Sequence, residues 1–167
     1  MLQKKVCMLG SFAVGKTSLV TRFVKSLYSD TYHTTIGVKI DKKLVEVDQQ
    51  HVNCILWDIA GEDEFYTINN SYLRGMSGYI LVVDNTRKVT LDVAKTIYDR
   101  VEENQGKIPC VLVINKTDLN VDSEISEQDL EQFIPDIPII KSSAKTGQGV
   151  EEAFTQLVHL MLNKGHA

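Results

Sequence analysis

A chain of 167 residues, 43% hydrophobic and 24% charged, has the size and balance of one folded domain with a real core, expected to span 1–167. Its net charge of −4 gives no reason to expect nucleic acid as a partner. No apolar run approaches the roughly 18 residues of a membrane span, and no signal peptide opens the chain.

The first strong pattern is residues 4–17, KKVCMLGSFAVGKT. The apolar run Val6 to Leu9 leads into Gly10, four residues, then Gly15-Lys16-Thr17, the spacing of a phosphate-binding loop between a buried strand and a helix. Phosphate oxygens need several donors converging from one side. A tight loop of backbone N–H groups supplies them where glycine leaves the approach open, and Ser11, Phe12, Ala13, Val14, Gly15, Lys16, Thr17 and Ser18 are the residues expected to bind the nucleotide there. A helix starting near Lys16 adds free N–H groups and the positive end of its dipole. Lys16 is expected to reach the β- and γ-phosphates, and the Thr17 hydroxyl to bind Mg²⁺. A glycine turn before an ordinary helix is the plain alternative.

Helical spacing continues through Val20, Phe23, Val24 and Leu27, the predicted buried face. A polar segment from Tyr28 to Gly37 follows. Val38–Val47 and His51–Asp58, joined by a polar turn at 48–50, predict an antiparallel hairpin, because the link is too short for a crossover. A second irregular stretch runs from Ile59 to about Ser77. Gly78–Asp84 and Pro109–Asn115 are unbroken apolar runs, as expected of parallel strands covered on both faces. Between them Leu91, Ala94, Tyr98 and Val101 mark a helix face. Ser126 with Asp129 spells a capping box, with Ile125 placed to staple onto Leu130. Ile137–Ile140 reads as a last short strand. Val150, Ala153, Phe154, Leu157, Val158 and Met161 stripe the final helix. Cys7, Cys54 and Cys110 are odd in number, widely spaced and set in apolar runs; buried reduced thiols in a cytoplasmic protein are expected rather than zinc ligands or disulfides.

Alternating strands and helices predict an α/β fold: a mostly parallel sheet of six strands, one of them an antiparallel edge strand, with helices on both faces. Ligands in such sheets lie beyond the carboxyl ends of the strands. That rule gathers the phosphate loop, Asp58, Asp84-Asn85, Asn115 to Asp118 and Ser142 to Lys145. Guanine differs from adenine in presenting adjacent N1–H and N2–H₂ donors, and a fixed carboxylate at Asp118 accepts both. The stem of Lys116 can lie over the base, and Asn115 can tie its loop to the phosphate loop. Ser143-Ala144-Lys145 offers a backbone N–H, that of Ala144, to guanine O6. Taken alone, Asn115-Lys116-Thr117-Asp118 also suits an unremarkable polar turn.

These motifs in this order, GSFAVGKTS, Thr34-Thr35-Ile36-Gly37, LWDIAGED, NKTD and SSAKTGQGVEEAF, resemble the Ras-superfamily small GTPases over nearly the whole chain. Ile36-Gly37-Val38, Trp57 and Ser71-Tyr72-Leu73-Arg74-Gly75 are Rab-like. The resemblance implies bound GTP or GDP with Mg²⁺. Thr35 would bind Mg²⁺ and the γ-phosphate, Asp58 would hold Mg²⁺ through a water, the Gly61 N–H would meet the γ-phosphate, and Tyr28 would pack edge-on against the base. It further implies a monomeric switch that recruits effector proteins through residues 30–40 and 62–75, served by an exchange factor and a GTPase-activating protein. Tyr66, Tyr72, Trp57 and Phe65 suit a partner-binding patch or a partly covered core edge.

Two departures fall on hydrolysis. The family's water-orienting glutamine is Glu62 here. Ionised near a γ-phosphate, it would add repulsion of roughly 4 kcal/mol at ~4 Å and an effective dielectric near 20. Facing solvent it would matter little, and as a general base it would help. Phe12 stands where the family carries a small residue, next to Ala13. Ile40 stands where Rabs commonly carry an aromatic, and the double-cysteine tail of the Rabs is not in these residues. Membrane association is not encoded here, and the expectation is a cytoplasmic protein, or one peripheral to membranes where a tail or partner supplies the attachment. A module that holds GTP without hydrolysing it, and more remotely a phosphotransferase, are the competing expectations.

Overall fold

The computed structural model describes residues 2–26, 28, 37–63 and 67–163. Six strands form one sheet, ordered β2-β3-β1-β4-β5-β6. β1 (Leu2–Gly10), β3 (Gln50–Ile59), β4 (Gly78–Asp84), β5 (Cys110–Asn115) and β6 (Ile139–Lys141) run parallel, and β2 (Val38–Val47) is the antiparallel edge. The α/β expectation stands.

Side chains alternate across a strand, so a strand covered on both faces shows no alternation in its sequence. β1 makes the point: Val6 and Met8 enter one core, Cys7 and Leu9 the other. The first core packs under α1 (Lys16–Lys25) and α4 (Val150–Asn163), where the rings of Phe23 and Phe154 stack with centroids 3.9 Å apart. The second packs under α2 (Val89–Gln105) and α3 (Glu127–Glu131). The predicted α4 stripe is buried throughout, each fully buried Leu or Phe contributing roughly 1.5–3 kcal/mol.

Several boundaries differ from expectation for local reasons. β1 begins at Leu2, because pairing with β3 from Leu2↔Val52 onward extends it through exposed residues. The hairpin turn is only Asp48-Gln49, with φ of 51° and 65°, the left-handed pair that a two-residue connection requires. Leu19 rather than Val24 completes the buried face of α1, and Leu27 lies outside the described residues. On α2, Ile97 takes the core position expected of Tyr98; the Tyr98 hydroxyl donates to Glu102 Oε1 at the surface, where a phenol finds a polar partner. The capping box of α3 closes in both directions at 2.9 and 3.1 Å. Ile125 and Leu130 are both buried in the second core, as the staple requires. All three cysteines are buried and free. Burial pushes the Cys7 and Cys110 thiols up to about 12 and Cys54 to about 11, so their thiolates are suppressed. Among the described residues no helix is long and apolar enough to cross a membrane.

Candidate functional site

The carboxyl ends of β1, β3, β4 and β5 converge on the loop from Ser11 to Gly15. Gly15 caps α1 at φ 103°, and a Cβ there would meet Asn115 Nδ2 at 2.3 Å. Glycine is therefore required by the loop's own packing as well as by ligand approach. α1 carries no side-chain cap, which leaves its first N–H groups aimed into the site. Lys16 is buried and donates to Ser11 O at 3.1 Å. Burial brings its ammonium down to about 8, Asp58 counters, and Arg87 adds to the drop. A cation so poorly solvated waits for an anion.

Thr17 donates to Asp58 Oδ2 at 2.5 Å, while Asp58 Oδ1 is buried without a hydrogen-bond partner. Burial raises the Asp58 carboxyl above its ordinary range, against the pull of Thr17 and Lys16. An orphaned carboxylate oxygen beside a hydroxyl fits Mg²⁺, which typically takes one or two protein carboxylates and completes its shell from phosphates and water. Among the described residues no cluster of three His, Cys, Asp or Glu could hold a metal instead. Thr35, expected as the other hydroxyl ligand, lies outside the described residues.

A cavity of about 200 Å³ opens beside the loop. Asn115, Lys116, Asp118 and Leu119 line it together with Ala144 and Lys145, and Gly15, Ser18 and Tyr28 complete the wall. Asp118 is oriented by Ser143, whose hydroxyl donates to Asp118 Oδ1 at 2.8 Å. Asn115 Nδ2 donates to Val14 O at 3.0 Å, the tie expected between the two loops. Its Oδ1 accepts from Ser142 Oγ at 3.2 Å and from the Ala144 N–H at 3.3 Å. The Ala144 N–H expected for guanine O6 thus has an internal acceptor at long range. Lys116, at φ 67°, sends its ammonium to Ala13 O at 3.0 Å and Asp84 Oδ2 at 2.8 Å. Its stem is thereby laid along the cavity wall.

Glu62 does not face solvent, as one of its three expected placements had it. It is buried, its Oε1 accepts from the Ile68 N–H at 3.1 Å, and Arg100 of α2 pairs with the same oxygen. Its backbone joins the phosphate loop: Phe12 N donates to Glu62 O at 2.9 Å and Glu62 N to Gly10 O at 3.1 Å. Ser11 bridges the same residue, its hydroxyl 3.5 Å from Glu62 O. Gly61 lies so close that a Cβ would meet Ser11 O at 2.6 Å and Phe12 N at 2.7 Å, so only glycine fits between these two backbones. Phe12 itself is exposed. Phe65 and Tyr66 lie outside the described residues. Trp57 and Tyr72 pack partly against the second core with their rings 6.5 Å apart.

Sequence reasoning missed three arginines. Arg22 of α1 donates from Nε to Ala144 O at 2.8 Å and from Nη2 to Lys145 O, holding that loop from below. Arg87 reaches Phe12 O, and Arg100 fixes Glu62. Each bond spans at least 38 residues, so no local pattern could signal them. Asp84 was gathered by the strand-end rule without a role.

A phosphate-binding loop, a carboxylate poised for a base edge and a half-satisfied carboxylate beside a threonine together define a nucleotide-binding α/β domain. A profile of the Ras family matches residues 5–163. The chain is 35% identical over 165 residues to the Ras-related protein Rab-1 of Theileria annulata, covering 96% of this chain and 74% of that one. It is 36% identical over 166 residues to the GTP-binding protein Rheb homolog of Dictyostelium discoideum, covering 97% and 89%. Against the Ras-related protein Rab-8B of Homo sapiens it is 32% identical over 163 residues, covering 96% and 79%. The chain belongs to the Ras family of small GTPases, with Rab-like features.

Proposed function

We propose that this protein is a guanine-nucleotide switch that hydrolyses GTP slowly. One observation carries the guanine reading: Asp118, oriented by Ser143, faces the cavity that adjoins the phosphate loop. A carboxylate held this way accepts guanine's paired donors and is left unpaired by adenine, a basis for discrimination of ~10⁴ or more. Lys16 and the N–H groups from Ala13 to Ser18 bind the phosphates. Thr17 and Asp58, with Thr35, hold Mg²⁺, which when bound neutralises charge on the phosphates. Gly61 and Thr35 sense the γ-phosphate, so its loss releases both polar segments. Effectors would read residues 30–40 and 62–75, with Trp57, Tyr72 and Ile40 contributing apolar area; Ile40 is about half exposed on the edge strand. An exchange factor and an activator are the further partners expected, acting on a cytoplasmic monomer.

Slow hydrolysis follows from Glu62 and Phe12. With Oε1 paired to both Arg100 and the Ile68 N–H, the Glu62 carboxylate is anchored inside the fold, which would disfavour its orienting a water. Losing such an interaction in the transition state, at about 2.7 kcal/mol, already slows a reaction a hundredfold. Single-turnover GTP hydrolysis of the wild type beside Phe12→Gly and Glu62→Gln tests this. At least one variant should be tenfold faster; if neither is, these residues have been misassigned. A second reading, a GTP-holding module that never completes the cycle, is favoured by the same Glu62–Arg100 pair. The nucleotide found on purified protein, followed for an hour with Mg²⁺, separates the two: conversion of GTP to GDP supports the switch.

A further inference from the structure

Three successive carbonyls of the phosphate loop are held from the β4–β5 side. Phe12 O accepts from Arg87 Nη2 at 2.7 Å, Ala13 O from Lys116 Nζ at 3.0 Å, and Val14 O from Asn115 Nδ2 at 3.0 Å. A trans peptide points its C=O and the next N–H in opposite directions. Fixing these three oxygens therefore turns the N–H groups of Ala13, Val14 and Gly15 to the other side, where phosphates would lie. Asn115 and Lys116 belong to the base motif. Arg87, three residues beyond β4, belongs to no motif read from the sequence.

Arg87 is itself anchored. Its Nε donates to Asp84 Oδ2 at 3.1 Å, and the same oxygen takes the Lys116 ammonium at 2.8 Å. Asp84 is only 1% exposed, and its other oxygen accepts from both the N–H and the hydroxyl of Thr86. One buried carboxylate thus fastens two cations that also donate to neighbouring loop carbonyls. The loop needs such a grip, since Ala13 is held at φ 62°, a conformation that disfavours any side chain.

We propose that Arg87 is a positioning residue for phosphate binding: its two-pronged bond to Asp84 and Phe12 O keeps a loop built with Phe12 and Ala13 in register with the β- and γ-phosphates. The inference rests on the guanine-nucleotide reading above. Guanine recognition by Asp118 lies outside this grip, so the effect should appear only for ligands that carry a pyrophosphate.

Calorimetry with GDP and with guanosine, on the wild type, Arg87→Ala, Arg87→Gln and Arg87→Lys, tests it. Arg87→Ala should weaken GDP about tenfold to thirtyfold while guanosine changes less than twofold. Amides 13–15 should exchange hydrogen faster in the nucleotide-free variant. Arg87 meets Asp84 and Phe12 O through two separate nitrogens of a rigid plane, whereas a lysine ammonium must serve both from one point, so Arg87→Lys should recover less than half of the loss on a logarithmic scale. Should Arg87→Ala fail to fold, Arg87→Gln carries the same comparison. Unchanged GDP affinity, an equal loss for guanosine, or full recovery by lysine would each overturn the proposal. A wild type that binds neither ligand would remove the nucleotide reading itself, a separate outcome.

Discussion

The two sides of the phosphate loop are built on opposite terms. On the base side, Asn115, Lys116 and Ser143 spend their hydrogen bonds holding other site residues in place, and Asp118 keeps its carboxylate facing an open cavity. On the hydrolytic side, Glu62 spends its carboxylate on Arg100 and on the Ile68 N–H. Charge aimed at a ligand marks the first region. In the second, charge is paired inside the fold, where Arg100 and the Ile68 N–H hold the Glu62 carboxylate. The difference teaches that a motif position predicts location before it predicts partners, because partners depend on what the rest of the fold delivers.

The largest effect should come from breaking the base side. Asp118→Ala should cut the preference for GDP over ADP by ~10⁴, since the unpaired donors of guanine are then no better served than adenine; paired titrations of the two nucleotides read this directly. Next, Lys16→Met should abolish GDP binding yet raise the melting temperature of the nucleotide-free protein. A fall of the Lys16 ammonium from 10.5 to about 8 corresponds to a burial cost on the order of 3 kcal/mol. Because the folded state binds this proton less tightly than the unfolded chain, the cost is full below about pH 8 and fades as pH rises towards 10.5. The advantage of the methionine variant should shrink over the same window.

The hydrolytic side offers a comparable test of that pairing. Arg100→Met should cost about 3 kcal/mol in urea unfolding by leaving Glu62 buried and uncompensated. The double variant Arg100→Met with Glu62→Leu should be less destabilised than the single costs sum to. Strict additivity would mean the pair is no unit. The smallest effect lies away from both regions: Ser126→Ala should remove about 1 kcal/mol by deleting the α3 cap, with GDP affinity unchanged.

Much of this fold was legible because its signals are local. The unbroken apolar runs of β4 and β5, the α4 stripe and the Ser126–Asp129 box each contain their own instructions. The contents of the site were legible for the same reason: loop and base motifs are short strings whose spacing encodes the geometry. What escaped was long-range. The choice of Ile97 over Tyr98 depends on which face of α2 the sheet receives. The fate of Glu62 depends on an arginine 38 residues away, and Asp84 acquired its role only when Arg87 and Lys116 arrived from separate elements. Periodicity cannot report such meetings, because they are decided by topology.

Trp57 is the only tryptophan in the chain. Its ring has the Lys5 ammonium 3.7 Å above its centroid and Tyr72 tilted 6.5 Å away, and Tyr72 lies in the segment proposed to respond to the γ-phosphate. An indole is a fluorophore whose emission shifts with nearby charge and solvent, so the protein carries an unlabelled optical gauge at that border. Loading with GTP in place of GDP should register there as a change in emission, seen in real time and without modifying a residue.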